Sequence, residues 1–577
     1  MNIFEELQKD LKESAYYLYP ESNIWDQYSV EIPKDHLNGD ISTNIAMLTA
    51  SIKHQNPKEV ALRFKDTFKK INYLAHIEVA GPGFINFTIK ASKWHDYIQQ
   101  ILSNNSNFWN VNVGNGELVN IEYVSANPTG PIHMGHARVA VYGDVLANIL
   151  SKSGYNVVKE YYVNDSGSQI DILIDSVILR YKEVITNKPI VIPEGLYPGG
   201  YLKELARVIY DKYGSSLLDK EEIYMKDIIK KITITEMMNL IKRDLSLLGV
   251  EYDKFFFESS LHSEKKIDQV VEIMQEKGLI YQGVLPAPKG KLNPNWKKVE
   301  HMLFRSSSFG DAQDRSIQKQ DGSWSYFASD LAYAKNKIDR GFQNLIFILG
   351  ADHSGYVSRI SAIVSALSDN KVKSDIKIVQ LVNFANQSVP IKMSKRNGNF
   401  VSISSIMKNL DKDIIRFIML TRKSDMVLEF DLDKFKEQSQ DNPVFYVQYA
   451  HVRICSIISR VKISVADAYD KFINNQFDLS LLSTEEEIQL IKLLAIWPKI
   501  LINAAKYHEP HRIAYYLIEI ASKFHTIWNL GKSKSNYLFV VSDNVELTAA
   551  RLAFVQSIKL VMVNALSIIG IKPIDKM

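Results

Sequence analysis

One cysteine in 577 residues, Cys455, excludes an internal disulfide and any zinc site built from thiolates. It falls in an apolar helical pattern and is expected in a core. Charge of one sign is also missing: 69 Lys and Arg against 65 Asp and Glu leave a net +4, so a polyanion would have to meet a local basic patch. No apolar run approaches the roughly 18 residues of a membrane span, and the opening Met1-Asn2-Ile3-Phe4-Glu5-Glu6 is not a basic-then-apolar leader. Internal repeats and low-complexity tracts are absent too. A cytoplasmic protein with no membrane partner is expected. What is present is an ordinary globular mixture, 46% hydrophobic and 23% charged, too long for one core and sized for three or four domains.

The most informative stretch is Ser125-Ala126-Asn127-Pro128-Thr129-Gly130-Pro131-Ile132-His133-Met134-Gly135-His136. It follows an apolar run, Leu118 to Val124, that reads as a buried strand, and Pro131 suits the first turn of a helix. His133 and His136 then lie three residues apart on one helical face. Unpaired N–H groups and the positive end of the helix dipole sit at the same place, which suits a phosphate, and Gly135 lets a flat ligand approach the backbone. Composition alone produces a His-x-Gly-His string about 0.01 times in such a chain, so the spacing is moderately specific.

A second element, Lys392-Met393-Ser394-Lys395-Arg396 before Asn397-Gly398-Asn399, has two lysines three apart in a loop-forming context that can close over a polyphosphate. In this order the two elements resemble the ATP-binding motifs of class I aminoacyl-tRNA synthetases.

Composition and period shift along the chain. Residues 1–110 read as an α+β unit with strands at His76 to Val79 and Phe84 to Ile89. From 111 to 425 strands alternate with helices, as in a parallel sheet; the strand candidates are Leu118–Val124, Val157–Tyr162, Leu345–Leu349 and Ile376–Leu381. An insertion at about 165–320, mostly helical to about 280, carries a Lys-rich loop from Pro288 to Lys298 that reads as solvated. Ile317 to Phe327 around Asp321-Gly322 predicts a β-hairpin. Residues 426–577 are all-helical, with apolar stripes such as Val447, Ala450, Ile454, Ile457, Val461 and Val555, Ile558, Met562, Leu566, Ile569.

Carboxylates are the groups that a planar fork of N–H donors requires. Asp330, with Tyr326 four residues before it, is a candidate for such a guanidinium, while Glu122 and Asn127 at the strand end could take an α-ammonium. Each has a plainer reading, Asp330 as an N-cap and Glu122 as an ion-pair partner.

Several strings then resemble the arginyl-tRNA synthetase family: Glu122 to His136, Tyr161-Tyr162-Val163-Asn164-Asp165, Phe309-Gly310-Asp311, Tyr326 to Asp330, Gly350-Ala351-Asp352-His353, Lys392 to Asn399 and Asn442 to His451. Gly39 to Asn44 and Ala550-Arg551-Leu552 resemble its terminal domains. Ser354 departs from the second histidine that the family often shows.

The resemblance implies an α/β fold, a Rossmann-type catalytic core with an insertion. It adds an N-terminal α+β domain contacting tRNA and a C-terminal all-α bundle at the anticodon. It implies ATP binding by Pro131, His133, Gly135, His136, Met393, Ser394 and Lys395. His133 and His136 would act at the α-phosphate, and Lys395 with Lys392 at the β,γ-phosphates. It carries Glu122 and Asn127 to the amino end of arginine, Tyr326 and Asp330 to its guanidinium, and either Asp352 or His353 to the remaining wall. Mg²⁺ would arrive with ATP, with no structural metal. Expected partners are tRNA(Arg), L-arginine and ATP, for a monomer that activates arginine only with tRNA bound. A small-molecule nucleotidyltransferase would leave the helical C-terminal region unexplained. A non-catalytic relative would not need His133, His136 and Lys395, and a synthetase for a neutral amino acid would not need Asp330.

Overall fold

In the computed structural model, Leu118–Tyr123 is the central strand of a five-stranded parallel sheet ordered Lys373–Val379, Asn344–Gly350, Leu118–Tyr123, Asn156–Val163, Lys254–Phe257. Residues 2–20, 27–33, 35–103, 106–285, 299–386, 389–391, 401–437 and 442–577 are described. Numbered along the chain the sheet runs 3-2-1-4-5, and its order reverses between Leu118–Tyr123 and Asn344–Gly350. Open sheets of this kind bind ligands beyond the carboxyl ends of the strands at that reversal.

The four expected strands are all present. The fifth, Lys254–Phe257, lies inside the stretch expected to be an insertion. Its four residues, Lys-Phe-Phe-Phe, alternate with nothing; pairing with Tyr161 and Tyr162 makes it a strand. The helical part of the insertion is Ser168–Thr186, Tyr201–Tyr213 and Glu222–Leu247. The Lys-rich loop, 288–298, lies outside the described residues save for its approaches.

Two local expectations are corrected. The hairpin at Ile317 to Phe327 shrinks to a single bridge, Gln318 with Trp324, around Gly322 at φ +82°. Phe327 is already helical, because the helix Tyr326–Asp339 starts there to bury Ala328, Leu331 and Ala332. Pro131 is not in a first helical turn. The helix is Met134–Lys152, and the preceding residues stay extended because Ile132 N–H donates to Asp244 (2.9 Å) and Met134 N–H to the Val401 carbonyl (3.2 Å).

These elements belong to one compact unit, residues 112–444 with 509–511; residues 1–111, 445–508 and 512–577 form another. In the latter an antiparallel sheet, Val30–Glu31, Ile41–Thr43, Phe84–Ile89 and Leu74–Ala80, packs with the C-terminal helices. Lys492 pairs with Asp40 at 2.6 Å, and His95 Nε2 bonds the Leu482 carbonyl at 3.0 Å. All the apolar stripes expected of the helices are buried.

Among the described residues one helix, Val545–Ile568, is long and apolar enough to cross a membrane, which the sequence reading did not expect; 67% of its apolar window is buried inside the protein, as in a core helix. Cys455 is only half-buried. Its Sγ donates to Asp575 (3.2 Å) beside His451, whose Nδ1 meets the Ile574 carbonyl (2.8 Å). With Lys559 also 3.8 Å from Asp575, that cluster docks the C-terminal segment.

Arg551, singled out by resemblance, points inward: its Nε bonds Glu487 at 2.9 Å and the rest of its guanidinium meets the Leu538 and Asn536 carbonyls. Both side chains are buried, so R551M strands Glu487 and lowers unfolding free energy by about 3–5 kcal/mol, measured by denaturant titration.

Candidate functional site

The central strand ends in a strained turn. Val124 and Ser125 have φ of +67° and +38°, a region that costs a β-branched residue in particular. The turn persists because its polar groups are committed: Ser125 Oγ donates to Glu122 Oε1 (3.2 Å) and accepts from Tyr162 N–H (3.0 Å). Beyond it the loop is pinned by Tyr161 Oη on the Ala126 carbonyl (2.7 Å) and Asn127 Nδ2 on Gln169 Oε1 (2.7 Å). Tyr201 Oη on the Thr129 carbonyl (2.5 Å) completes the anchoring.

At the end of that loop the histidines cap the helix reciprocally. His133 is the N-cap, its Nδ1 accepting from Gly135 N–H (3.1 Å), and His136 Nδ1 accepts from His133 N–H (3.4 Å). An imidazole that accepts at Nδ1 carries its proton on Nε2, so both rings present Nε2–H as a donor. The ring centroids are 3.9 Å apart. Gly135 serves this arrangement directly: a Cβ there would stand 2.8 Å from His133 Cε1.

The pair lines one of two cavities that share His353. One, of about 540 Å³, is lined by His133, Gly135, His136, Asn127, Asp352 and His353. The other, of about 140 Å³, is lined by Glu122, Asp330, Tyr162, Tyr333 and Tyr356 with His353 again. His353 therefore borders both, Asp352 only the first, and Ser354 is exposed in the same turn. Glu122 stands between them through its bond to Ser125, which lines the larger cavity.

The small cavity is electrostatically primed. Burial, then Glu258 and Glu122, push the Asp330 carboxyl up to about 7, against a partial pull from Arg359. Burial likewise raises Glu258, which accepts hydrogen bonds from Ser329 and Tyr162. Such a set favours a cation that can neutralise it.

Sequence reasoning missed Glu258. It sits in no motif, and only the short fifth strand before it delivers it to the site. Tyr326 lies in a third cavity of about 750 Å³ with Gly167, Glu258 and Ser329, not in the one lined by Asp330. Pro131 is buried in the loop and lines neither of the first two. Lys392, Met393, Ser394 and Lys395 lie outside the described residues. What is described on their far side is close to the histidines: Ser402 bridges His133, and Ile403 N–H meets the Ile132 carbonyl at 3.2 Å.

Three family models match the chain: the arginyl tRNA synthetase N terminal domain over 2–89, the tRNA synthetases class I (R) catalytic domain over 97–456, and the DALR anticodon binding domain over 447–577. The arginine–tRNA ligase of Rickettsia bellii (strain OSU 85-389) is 54% identical and that of Rickettsia prowazekii (strain Madrid E) 53%, each over 577 residues and all of both chains. The arginyl-tRNA synthetase structure from Thermus thermophilus has a TM-score of 0.72 at 16% identity, covering 100% of both chains, which attests the fold.

Proposed function

The chain belongs to the arginyl-tRNA synthetase family and is an arginine–tRNA ligase; from that premise we propose how its residues divide the reaction. The guanidinium enters the small cavity against Asp330, where Glu258, bonded by Tyr162 of the cavity wall, adds negative charge; Tyr326, in the third cavity, stays outside that contact. The α-ammonium lies at the boundary, between Glu122 and Asn127. The substrate carboxylate thus reaches the larger cavity, where His353 and Asp352 form the wall and His133 and His136 face the α-phosphate of ATP. The observation that carries this reading is the adjacency of a carboxylate-lined cavity to a pair of fixed Nε2–H donors.

The arginine carboxylate forms a bond to the α-phosphorus of ATP as the bond to pyrophosphate breaks, giving arginyl-adenylate. The terminal adenosine of tRNA then takes the arginyl group through its 2′-hydroxyl, and AMP leaves. A carboxylate is already ionised, so the first step needs orientation and stabilisation of charge on phosphate oxygens rather than a base. Lys395, supported by Lys392, meets the β,γ-phosphates, in a segment whose C-terminal neighbours pair with His133. Mg²⁺ is carried in with ATP: among the described residues Asp352 is the one carboxylate lining the histidine cavity, too few for a protein cage. The single cysteine supports action in the cytoplasm, and we propose a monomer there with no membrane partner, tested by light scattering of the purified enzyme.

Arginine-dependent ATP–pyrophosphate exchange across the twenty amino acids, with and without tRNA, tests the reading. Exchange with arginine alone, and with tRNA present, is the expected result; exchange with a neutral amino acid removes Asp330 from the pocket. G135A offers a local check. Alanine favours the helix by up to about 1 kcal/mol, so thermal stability holds, while displacement of the His133 ring lowers kcat by at least roughly tenfold.

A further inference from the structure

Glu122 and Glu160 are register partners on adjacent parallel strands, so their side chains leave the sheet on the same face. Like charges so placed repel, and each is met by cations and hydrogen-bond donors. Glu160 takes two bonds from Arg340, at 2.6 and 2.9 Å, and one from Tyr333 Oη at 2.7 Å. Glu122 Oε2 instead accepts from Lys337 Nζ at 2.6 Å, while Oε1 accepts from Ser125.

Lys337 has no exposed surface. Its ammonium lies 4.4 Å from the Tyr333 ring centroid and 4.2 Å from that of Phe347, and both rings line the small cavity. A leucine or methionine would fill the same space without removing a charge from water, and fully burying an ion pair rarely adds stability. The pair has a direction, however. With Oε2 held by Lys337 and Oε1 by Ser125, both carboxylate oxygens are tied in place, Glu122 lining the small cavity and its partner Ser125 the larger one.

We propose that Lys337 is a positioning residue for arginine: from beneath the pocket it fixes Glu122 in the one orientation that receives the substrate's α-ammonium. The inference rests on the proposed reading of the two cavities. Lys337 contributes to recognition of the amino end and leaves the guanidinium end, at Asp330, unaffected.

The test is steady-state aminoacylation by Lys337→Met and Lys337→Arg. Guanidinovalerate, which is arginine without its α-amino group, serves as a competitive inhibitor, and Asp330→Asn as the pocket control. K337M is expected to raise KM for arginine about 10²-fold while KM for ATP and the inhibition constant of guanidinovalerate stay within about twofold, because only the misplaced contact is lost. K337R restores most of the loss. Equal weakening of arginine and guanidinovalerate, or an unchanged KM for arginine, overturns the inference. If D330N changes neither ligand, the reading of the cavities itself falls, and this inference with it. Should K337M fail to fold, Lys337→Gln, which keeps a hydrogen-bond donor but no charge, answers the same question. It is expected to raise KM for arginine about tenfold with guanidinovalerate within about twofold, and equal weakening of both ligands or an unchanged KM for arginine would refute the proposal.

Discussion

Asp330→Asn will reduce kcat/KM for arginine by about 10³-fold, roughly 4 kcal/mol, with KM for ATP unchanged. The substitution keeps the shape of the side chain and removes the charge a guanidinium pairs with. It also removes a group whose ionisation is opposed by burial and by Glu258 and Glu122. The wild-type enzyme should therefore show a pH signature that the variant lacks. Asp330 titrates near 7 in the free protein, so below that pH arginine must displace a proton to bind, and KM for arginine rises by up to about tenfold per pH unit. The stability consequence has the opposite sense. A carboxyl raised from 3.8 to about 7 contributes stability fully present below the unfolded value, and that contribution is lost as pH rises through 7. Saturating arginine should accordingly raise Tm more at pH 8 than at pH 6. A KM for arginine flat across pH 6–8, or identical in D330N, would remove Asp330 from the guanidinium contact.

The parallel core and the helical region were legible because long elements carry their own period. Leu118–Tyr123 and Asn344–Gly350 are apolar runs of strand length, and the stripe from Val447 to Val461 repeats at helical spacing. What stayed hidden is short or depends on tertiary partners. Lys254–Phe257 is a strand only because Tyr161 and Tyr162 offer an open edge, and Glu258 reaches the site only because that strand ends there. Tyr326 and Asp330 share a helical face by spacing, yet the helix presents them to different cavities. Pro131 illustrates the same limit: its intrinsic fit to a first helical turn is overridden by Asp244 on a helix more than a hundred residues away. Nothing local in the sequence reports that the partner of Lys337 is Glu122, more than two hundred residues earlier.

His133 and His136 should be separable into a structural and a chemical part, and the separation tests the assigned role most sharply. H136A is expected to lower kcat by about 10²–10³-fold, the effect of removing one pre-aligned donor from a site where charge builds on phosphate oxygen. Its KM for arginine should not move, since His136 lines only the larger cavity. H133A should lose as much rate, and in addition about 1 kcal/mol of stability, because His133 is also the N-cap of Met134–Lys152. H133N distinguishes the two losses. Asparagine accepts from the helix N–H groups as well as any residue, so Tm should return to the wild-type value; it cannot place a donor where the imidazole Nε2–H reaches, so kcat should remain low. The double variant should be little worse than either single, as expected when two donors act on one oxygen set. If H133N recovered rate along with stability, His133 would be a helix cap and no more, and charge stabilisation at the α-phosphate would fall to His136 and the lysine loop.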